Sequence, residues 1–380
     1  MFRHALLALA LMSSATLTFG SLWESQDWAL IGTLSGSTGY DSNLTLLHDG
    51  PASYFFTQNP SVTFSRKNSD TEIQFNGGLT EMEFLKAEQT SETDPYLNAT
   101  IAYPSGDNLI PVYKVYAWWQ RSSQPNEFVG ERVANDQLSV SGEGNLTLTG
   151  KLGIRASAEV DSTRFDSVEL NDSLHGSAFV GLTYERDTTS QASLNVGAAL
   201  GHSIPNNPAD TAEDVHSTEY DVTARITGQI TEKVTGTAYG GFGVVDYRGG
   251  YSNTNYIPVA GADLTWGLDP RQTIVLAAYS GATNAPDGTA VDTSHAFLSY
   301  TDVVISGWQY TVRAGPTYTT FSRETVERRD SIWDYALEIA YVPSKRFRVA
   351  LDLDYSSHNS NIALYGFGHD VESLSVSYSF

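Results

Sequence analysis

The chain has 380 residues, with 22 Lys and Arg against 44 Asp and Glu and a formal net charge of −22 at pH 7. A charge of this sign disfavours nucleic acid as a partner, because binding to phosphates depends on a basic surface. The sequence contains no cysteine, so disulfides do not hold the fold together.

The amino terminus has the features of a secretory signal peptide. A basic start precedes the apolar run 5–12, which is too short to span a bilayer, and small residues follow it. We predict a signal peptide over residues 1–20, with cleavage near Gly20 or at Ala15, and a single domain over residues 21–380. No other stretch approaches the roughly 18 apolar residues of a membrane-spanning helix, so the mature chain is either soluble beyond the inner membrane or crosses a membrane as strands.

Turn-forming residues recur along the chain in two alternating kinds of connection. Eight are short, for example those at Asn68-Ser-Asp70 and Asp269-Pro-Arg271. Nine longer polar stretches alternate with them, for example 41–52 and 204–216. Bacterial outer-membrane barrels alternate short periplasmic turns with longer extracellular loops in this way. The pattern predicts one all-β, antiparallel transmembrane barrel of about 18 strands, with 16 strands as the alternative and both termini in the periplasm.

Apolar and polar residues fall on opposite faces of the predicted strands wherever the alternation is clean. The stretches 152–161, 308–314, 333–341 and 347–356 all have this period of two, and aromatic residues stand at the ends of several apolar faces. Such aromatic residues predict a girdle at each membrane interface. A soluble β-sandwich has the same alternation, but a sandwich of this many strands needs several domains, and no linker is evident.

Charged residues on the polar faces are predicted to line the lumen, because a charge on the lipid face is unfavourable near the bilayer midplane. Two roles are open for them: cross-strand ion pairs that rigidify the wall, or a translocation path whose selectivity they set. The predicted pore-lining residues are Lys114, Arg155, Glu159, Asp161, Arg225, Arg313, Glu338, Arg348, Asp352 and Asp354.

The sequence offers little for catalysis or metal binding. It has no cysteine nucleophile and no G-x-S-x-G motif, and its histidines have no metal-ligand spacing. Ser294 and His295 are adjacent, so their side chains point to opposite faces of a strand and cannot form a dyad. We therefore expect no enzymatic activity, no catalytic residue, no metal and no cofactor.

The carboxy-terminal segment 374–380 alternates strictly and ends on an aromatic residue. It resembles the terminal strand of bacterial outer-membrane barrels, where this strand is the signal for the barrel-assembly machinery. The resemblance implies that machinery as a partner, and a location among the lipids and lipopolysaccharide of a Gram-negative outer membrane. The predicted assembly signal consists of Leu374, Val376, Tyr378 and Phe380.

Several short elements carry a resemblance to a known family. They are Gly39-Tyr40-Asp41-Ser42-Asn43-Leu44, Tyr184-Glu-Arg186-Asp187, Tyr341-Val-Pro343 and Ser356-Ser-His-Asn-Ser360. With these elements the chain resembles the β-barrel porin family of exopolysaccharide operons, the EpsL-like outer-membrane proteins. The resemblance implies export of an exopolysaccharide across the outer membrane, with periplasmic and inner-membrane proteins as partners. It carries over no catalytic or binding residue.

Three functions stay open on the sequence alone. They are a polysaccharide export channel, a general or ion-selective diffusion porin for a small solute, and a surface scaffold or adhesin whose loops carry the function. A porin usually has a long constriction loop inside the lumen, whereas the longest predicted connections, 123–136 and 204–216, have only about 13 residues each. This difference favours an exporter with a wide lumen.

Overall fold

The structure is a computed structural model that describes most of the chain. The described residues are 22–25, 27–68, 70–85, 92–103, 113–126, 131–149, 151–187, 190–204, 215–248, 253–284, 290–304, 307–322 and 328–379. The predicted signal peptide, residues 1–20, and Phe380 of the predicted assembly signal lie outside the described residues. Within these ranges no helix is long and apolar enough to cross a bilayer.

The described residues form one antiparallel sheet of 19 strands. The strands are β1 Trp23–Glu24, β2 Trp28–Asp41, β3 Ser53–Lys67, β4 Glu72–Phe84, β5 Glu92–Tyr103, β6 Tyr113–Asn126, β7 Glu131–Thr149, β8 Leu152–Phe165, β9 Asp172–Asp187, β10 Ser190–Ile204, β11 Val215–Gln229, β12 Val234–Arg248, β13 Asn253–Gly267, β14 Gln272–Asn284, β15 Ala290–Val303, β16 Trp308–Ser322, β17 Arg328–Ser344, β18 Phe347–Ser360 and β19 Phe367–Ser379. A 3-10 turn, Ala363–Tyr365, precedes β19.

Strands β2 to β19 pair in chain order, and β19 returns to pair with β2, which closes the sheet into a barrel of 18 strands. The prediction of 18 strands is therefore confirmed, and the alternative of 16 is excluded. At the seam, β19 ends at Ser379, opposite Thr33, before it reaches the first residues of β2. Strand β1 occupies part of that open edge, with Trp23 paired to Leu30. An unpaired edge is a template for another chain, so β1 shortens the exposed part of it.

The outer face of the wall is apolar and exposed. Residues paired directly across neighbouring strands share one face of a sheet, so the register defines the outer and inner faces around the whole barrel. One outer row runs through Val180, Val196, Val222 and Phe242, whose exposed fractions are 54%, 57%, 50% and 82%. A sandwich would bury such residues against a second sheet, whereas a lipid-facing wall leaves them exposed. The sandwich alternative is therefore excluded.

Aromatic side chains cluster at both ends of the outer face. At one end, Trp308 and Tyr341 have ring centroids 5.1 Å apart, and Tyr103 stacks on its partner in β6 at 5.3 Å. At the other end, Tyr40 and Tyr54 lie 5.1 Å apart. The pairs are cross-strand neighbours, so they stabilise the wall while their rings face the two membrane interfaces.

The connections divide the barrel into two ends. We call the end with the turns 230–233, 268–271 and 345–346 the turn end, and the opposite end the loop end. The alternation of turns and loops agrees with the sequence, but one predicted loop was wrong. Segment 123–136 is mostly strand, because β6 continues to Asn126 and β7 begins at Glu131. Polar residues on both faces suggested a loop there, yet the two strands continue to pair beyond the apolar belt.

Candidate functional site: the barrel interior

The inner face carries the polar and charged residues of the wall. Alternation and register place all ten predicted pore-lining residues on this face, distributed over β6, β8, β11, β16, β17 and β18. Their surroundings differ, however, because the interior has two parts. We call the inner face of β7 to β13 the packed side and that of β16 to β18 the open side.

The packed side contains a row of polar residues that are almost completely buried. One inner row of directly paired residues contains Arg155, Asn195 and Thr223, whose exposed fractions are 8%, 1% and 6%. Glycines occupy the positions between them and beyond. A Cβ atom at Gly181 would lie 2.1 Å from Asn195 Oδ1, and one at Gly241 would lie 1.9 Å from the Val222 carbonyl oxygen. These glycines therefore permit a close approach that other residues would prevent.

The packed side arises because the wall folds sharply between β10 and β14. Four strand-to-strand steps along a sheet amount to about 19 Å. Nevertheless, Cα atoms of β10 and β14 come within 8 Å of each other. The enclosed inner face of β12 and β13 forms an apolar cluster of Val245, Tyr247 and Ile257, which are 2%, 1% and 8% exposed. This folded segment fills part of the interior.

Arginine and aromatic side chains alternate across the packed side. The guanidinium carbon of Arg155 lies 5.6 Å from the ring centroid of Phe179, and that of Arg225 lies 5.1 Å from the same ring. Arg225 also lies 5.0 Å from the ring centroid of Tyr239. We call these four residues the arginine–aromatic tier. Arg155 Nη2 in addition donates a hydrogen bond of 2.5 Å to Glu143 Oε2, which pairs the buried charge.

The open side presents half-exposed charges. Arg313 Nη2 lies 3.9 Å from Asp354 Oδ1, and the two side chains are 54% and 48% exposed. Arg348 donates a hydrogen bond to Glu338, and these two side chains are 36% and 27% exposed. Ser356 donates a hydrogen bond to Asp334, a carboxylate that the predicted set of pore-lining residues missed. Its position between Trp333 and Tyr335 in an alternating strand was the signal that could have included it.

Carboxylates outnumber cations on the open side. Its three arginines, Arg313, Arg348 and the buried Arg328, have partners in Asp354, Glu338 and Asp330. Asp334 and Asp352 have no lysine or arginine within ion-pair distance among the described residues. This side of the interior therefore carries more negative than positive charge.

Of the other predicted pore-lining residues, Glu159 and Asp161 lie on β8 within the packed side but are more exposed than Arg155, and Lys114 lies on β6 beside it. Glu159 accepts a hydrogen bond of 3.4 Å from the hydroxyl of Ser139. Asp161 Oδ2 lies 3.7 Å from Nδ1 of His175, a residue that the sequence did not single out. Lys114 is an exposed residue of β6.

The Gly-Tyr-Asp-Ser-Asn-Leu element of the sequence lies at the seam of the barrel. Asp41 Oδ1 accepts a hydrogen bond of 2.8 Å from the Asn43 backbone and lies 2.9 Å from His369 Nε2. Ser42 exchanges two hydrogen bonds with Asp370, at 2.7 and 2.9 Å. The element therefore joins the loop end of β2 to that of β19, and its role is in closure of the barrel.

The described residues contain no group of three or more side chains that could hold a metal ion. They also place Ser294 and His295 on opposite faces of the wall. Ser294 Oγ lies 3.1 Å from Ser280 Oγ on the outer face, whereas His295 Nδ1 lies 2.8 Å from Thr317 Oγ1 on the inner face.

Together these features define a closed membrane-type barrel with a charged interior. No family model matches the chain, and no curated protein matches it by sequence. Among solved structures, the outer membrane protein OpdK of Pseudomonas aeruginosa is 11% identical, with 95% of this chain and 100% of that chain covered and a TM-score of 0.48. OccAB4 of Acinetobacter baumannii is 10% identical, with 94% and 99% covered and a TM-score of 0.45. The siderophore receptor PirA of Pseudomonas aeruginosa is 10% identical, with 94% and 81% covered and a TM-score of 0.44.

Proposed function

We propose that this protein is a channel of the Gram-negative outer membrane through which small hydrophilic solutes diffuse, with a preference for cations. The observation that carries the proposal is the contrast between the two faces of a closed wall. The outer face is apolar and exposed, whereas the inner face is polar and has half-exposed charges. A closed barrel satisfies its backbone groups in lipid, and a polar interior allows water and solutes to pass.

The preference for cations follows from the open side. Five carboxylates, Asp330, Asp334, Glu338, Asp352 and Asp354, stand there against three arginines, which are themselves paired. Rings and patches of carboxylates concentrate cations in a pore and repel anions. Conduction also requires weak binding, and partly exposed ion pairs suit this requirement because water screens them.

The preference for small solutes follows from the packed side, which removes part of the cross-section. A polymer needs a continuous wide path, whereas ions and small metabolites do not. The general or ion-selective porin is therefore the better-supported alternative. Membership of the EpsL-like family, export of an exopolysaccharide with periplasmic and inner-membrane partners, and a scaffold or adhesin role all stay predictions.

Assembly and orientation belong to the same proposal. We place the turn end and both termini in the periplasm and the loop end at the cell surface, among lipopolysaccharide. Leu374, Val376 and Tyr378 lie on the outer face of β19, where they pair with β18 and β2. Together with Phe380 they are the proposed signal for the barrel-assembly machinery.

Planar bilayers test the proposal directly. The purified protein should form ion-conducting channels, and a KCl gradient should give a reversal potential of the sign expected for cation preference. A second arm measures exopolysaccharide in the medium of a deletion strain, which we expect to stay at the wild-type level. Absence of conductance, or a preference for anions, would contradict the proposal. Loss of secreted polysaccharide in the deletion strain would support the exporter instead.

A further inference from the structure

We propose that the wall from β10 to β14 is a fixed constriction that limits the size of the permeating solute, and that Phe179 and Tyr239 are the positioning residues that hold it. This inference rests on the proposed channel function, and it adds where the size limit lies. A loop folded into the lumen supplies the constriction of a typical porin. Here the wall itself supplies it.

The first argument is geometric. Strands β10 and β14 approach to within 8 Å between Cα atoms, which is closer than the roughly 10 Å between packed sheets. So close an approach requires small inner residues, and β10 has Gly197, Ala199 and Gly201 on its inner face. A Cβ atom at Gly197 would lie 2.1 Å from Asp221 Oδ1, so the space there is already occupied. The fold leaves no room for a solute between these strands.

The second argument concerns what holds the fold in place. Phe179 stands between the guanidinium groups of Arg155 and Arg225, and Arg225 stands between Phe179 and Tyr239. The ring of Tyr239 in turn covers Gly261 of β13, where a Cβ atom would lie 2.3 Å from the ring. The tier thus links β8, β9, β11, β12 and β13 through contacts that face inward. Cation–π contacts strengthen when they are desolvated, as they are on this side.

The third argument separates size from charge. The half-exposed charges lie on the open side, on β16 to β18, whereas the tier lies on the packed side. Loss of the tier should therefore enlarge the path without a change in the sign of ion preference. If the tier only stabilised the barrel as a whole, its loss would loosen the entire wall and change both the size of the path and the ion preference.

The first experiment compares thiol accessibility at two inner threonines. The chain has no cysteine, so single-cysteine variants can be labelled without background. Thr223 of β11 is 6% exposed on the packed side, and Thr311 of β16 faces the open side. Thr311→Cys should react readily with a charged methanethiosulfonate reagent in the folded protein. Thr223→Cys should react at least about tenfold more slowly, because it becomes accessible only when the wall opens locally. Equal rates would overturn the inference, whether or not the protein conducts.

The second experiment measures the pore. In the double variant Phe179→Ala/Tyr239→Ala, single-channel conductance should roughly double, and larger sugars should enter proteoliposomes, because the filled part of the interior opens. Cation preference should keep its sign. Tyr256→Ala is the matched control, since Tyr256 is 86% exposed on the outer face of β13. A conducting, folded double variant with unchanged conductance would overturn the inference and leave the channel function intact. A wild-type protein without conductance would instead contradict the channel function, and the labelling experiment would still decide the fold of the wall.

Discussion

Arg313 Nη2 lies 3.9 Å from Asp354 Oδ1, and about half of each side chain is exposed to the lumen. We expect Asp352→Asn/Asp354→Asn to reduce cation preference, because the variant removes two of the carboxylates that face the path. Two charges 4 Å apart in water interact by about 1 kcal/mol, so each removed charge should change the permeability ratio by up to about fivefold. The reversal potential in a KCl gradient measures this ratio.

The control for this prediction is Glu83→Gln, which removes an exposed carboxylate from the outer face of β4. It should leave the reversal potential unchanged. The opposite change, Arg313→Glu/Arg348→Glu, should increase cation preference, and both effects should weaken at high salt. An identical ion preference in all three variants would place the conducting path elsewhere.

Arg155 and Glu143 form a buried pair with side-chain exposures of 10% and 27%. We expect Arg155→Met to lower the free energy of unfolding by about 3 kcal/mol, because it leaves a carboxylate unpaired in a mostly dry environment. Arg313→Met should lower it by less than about 1 kcal/mol, because its partner remains half-exposed to water. Urea unfolding in detergent micelles, followed by tryptophan fluorescence, compares the two. Equal losses would contradict the distinction between a packed and an open side.

The difference between these two arginines marks the limit of what the sequence predicts. Both Arg155 and Arg313 stand on the polar face of a cleanly alternating strand, so the period of two assigns both to the interior. Alternation also predicts the closed barrel, because every strand needs a lipid-facing side and a partner on each edge. It contains no information on how the wall bends, however, and bending decides which arginine is buried.

The bend depends on contacts between segments that are distant in the sequence. Strands β10 and β14 approach each other where the inner face of β10 carries the small residues Gly197, Ala199 and Gly201, and the intervening strands must first form and pair. Glycine positions such as Gly197 and Gly261 are visible in the sequence, but their close neighbours are not. The same limit explains the error over 123–136, where polar residues belong to paired strands that extend past the membrane belt.

The seam of the barrel offers a third prediction. Asp41 accepts a hydrogen bond from the Asn43 backbone and contacts His369 across the β2–β19 junction. We expect Asp41→Ala to destabilise the folded barrel by about 1–2 kcal/mol, since it leaves two polar groups without their partner. The temperature at which the compact, heat-modifiable band is lost on a gel measures the effect. Asp49→Asn is the control, because the side chain of Asp49 is 90% exposed in the adjoining loop and asparagine tolerates its left-handed backbone, with φ 61°. The prediction fails if both variants unfold at the same temperature.

The turn 268–271 between β13 and β14 provides a pH-dependent test. Asp269 Oδ1 accepts hydrogen bonds from the backbone N–H groups of Arg271 and Gln272, at 2.8 and 2.9 Å, and these bonds lower the pKa of Asp269 below its usual value. A lowered pKa means that the carboxylate stabilises the fold above the unfolded pKa of about 3.9 and loses this effect as the pH falls through the folded value. We expect the stability difference between the wild type and Asp269→Asn to shrink below about pH 4. Urea unfolding at pH 7 and pH 3 measures it, and a difference that is constant over this range would exclude the role of the charge.

The last prediction concerns which end of the barrel faces the cell surface. An epitope inserted after Val168, which is 63% exposed in the β8–β9 loop, should bind antibody on intact cells. An epitope inserted at Pro270, in the turn between β13 and β14, should bind antibody only after the outer membrane is permeabilised. In bacterial outer-membrane barrels the longer loops cross to the cell surface, whereas the short turns stay on the periplasmic side from which the strands insert. Since 18 strands return the chain to its starting side, the same result places both termini in the periplasm. Surface labelling at Pro270 with none at Val168 would reverse the orientation and move the seam element of β2 and β19 to the periplasmic rim.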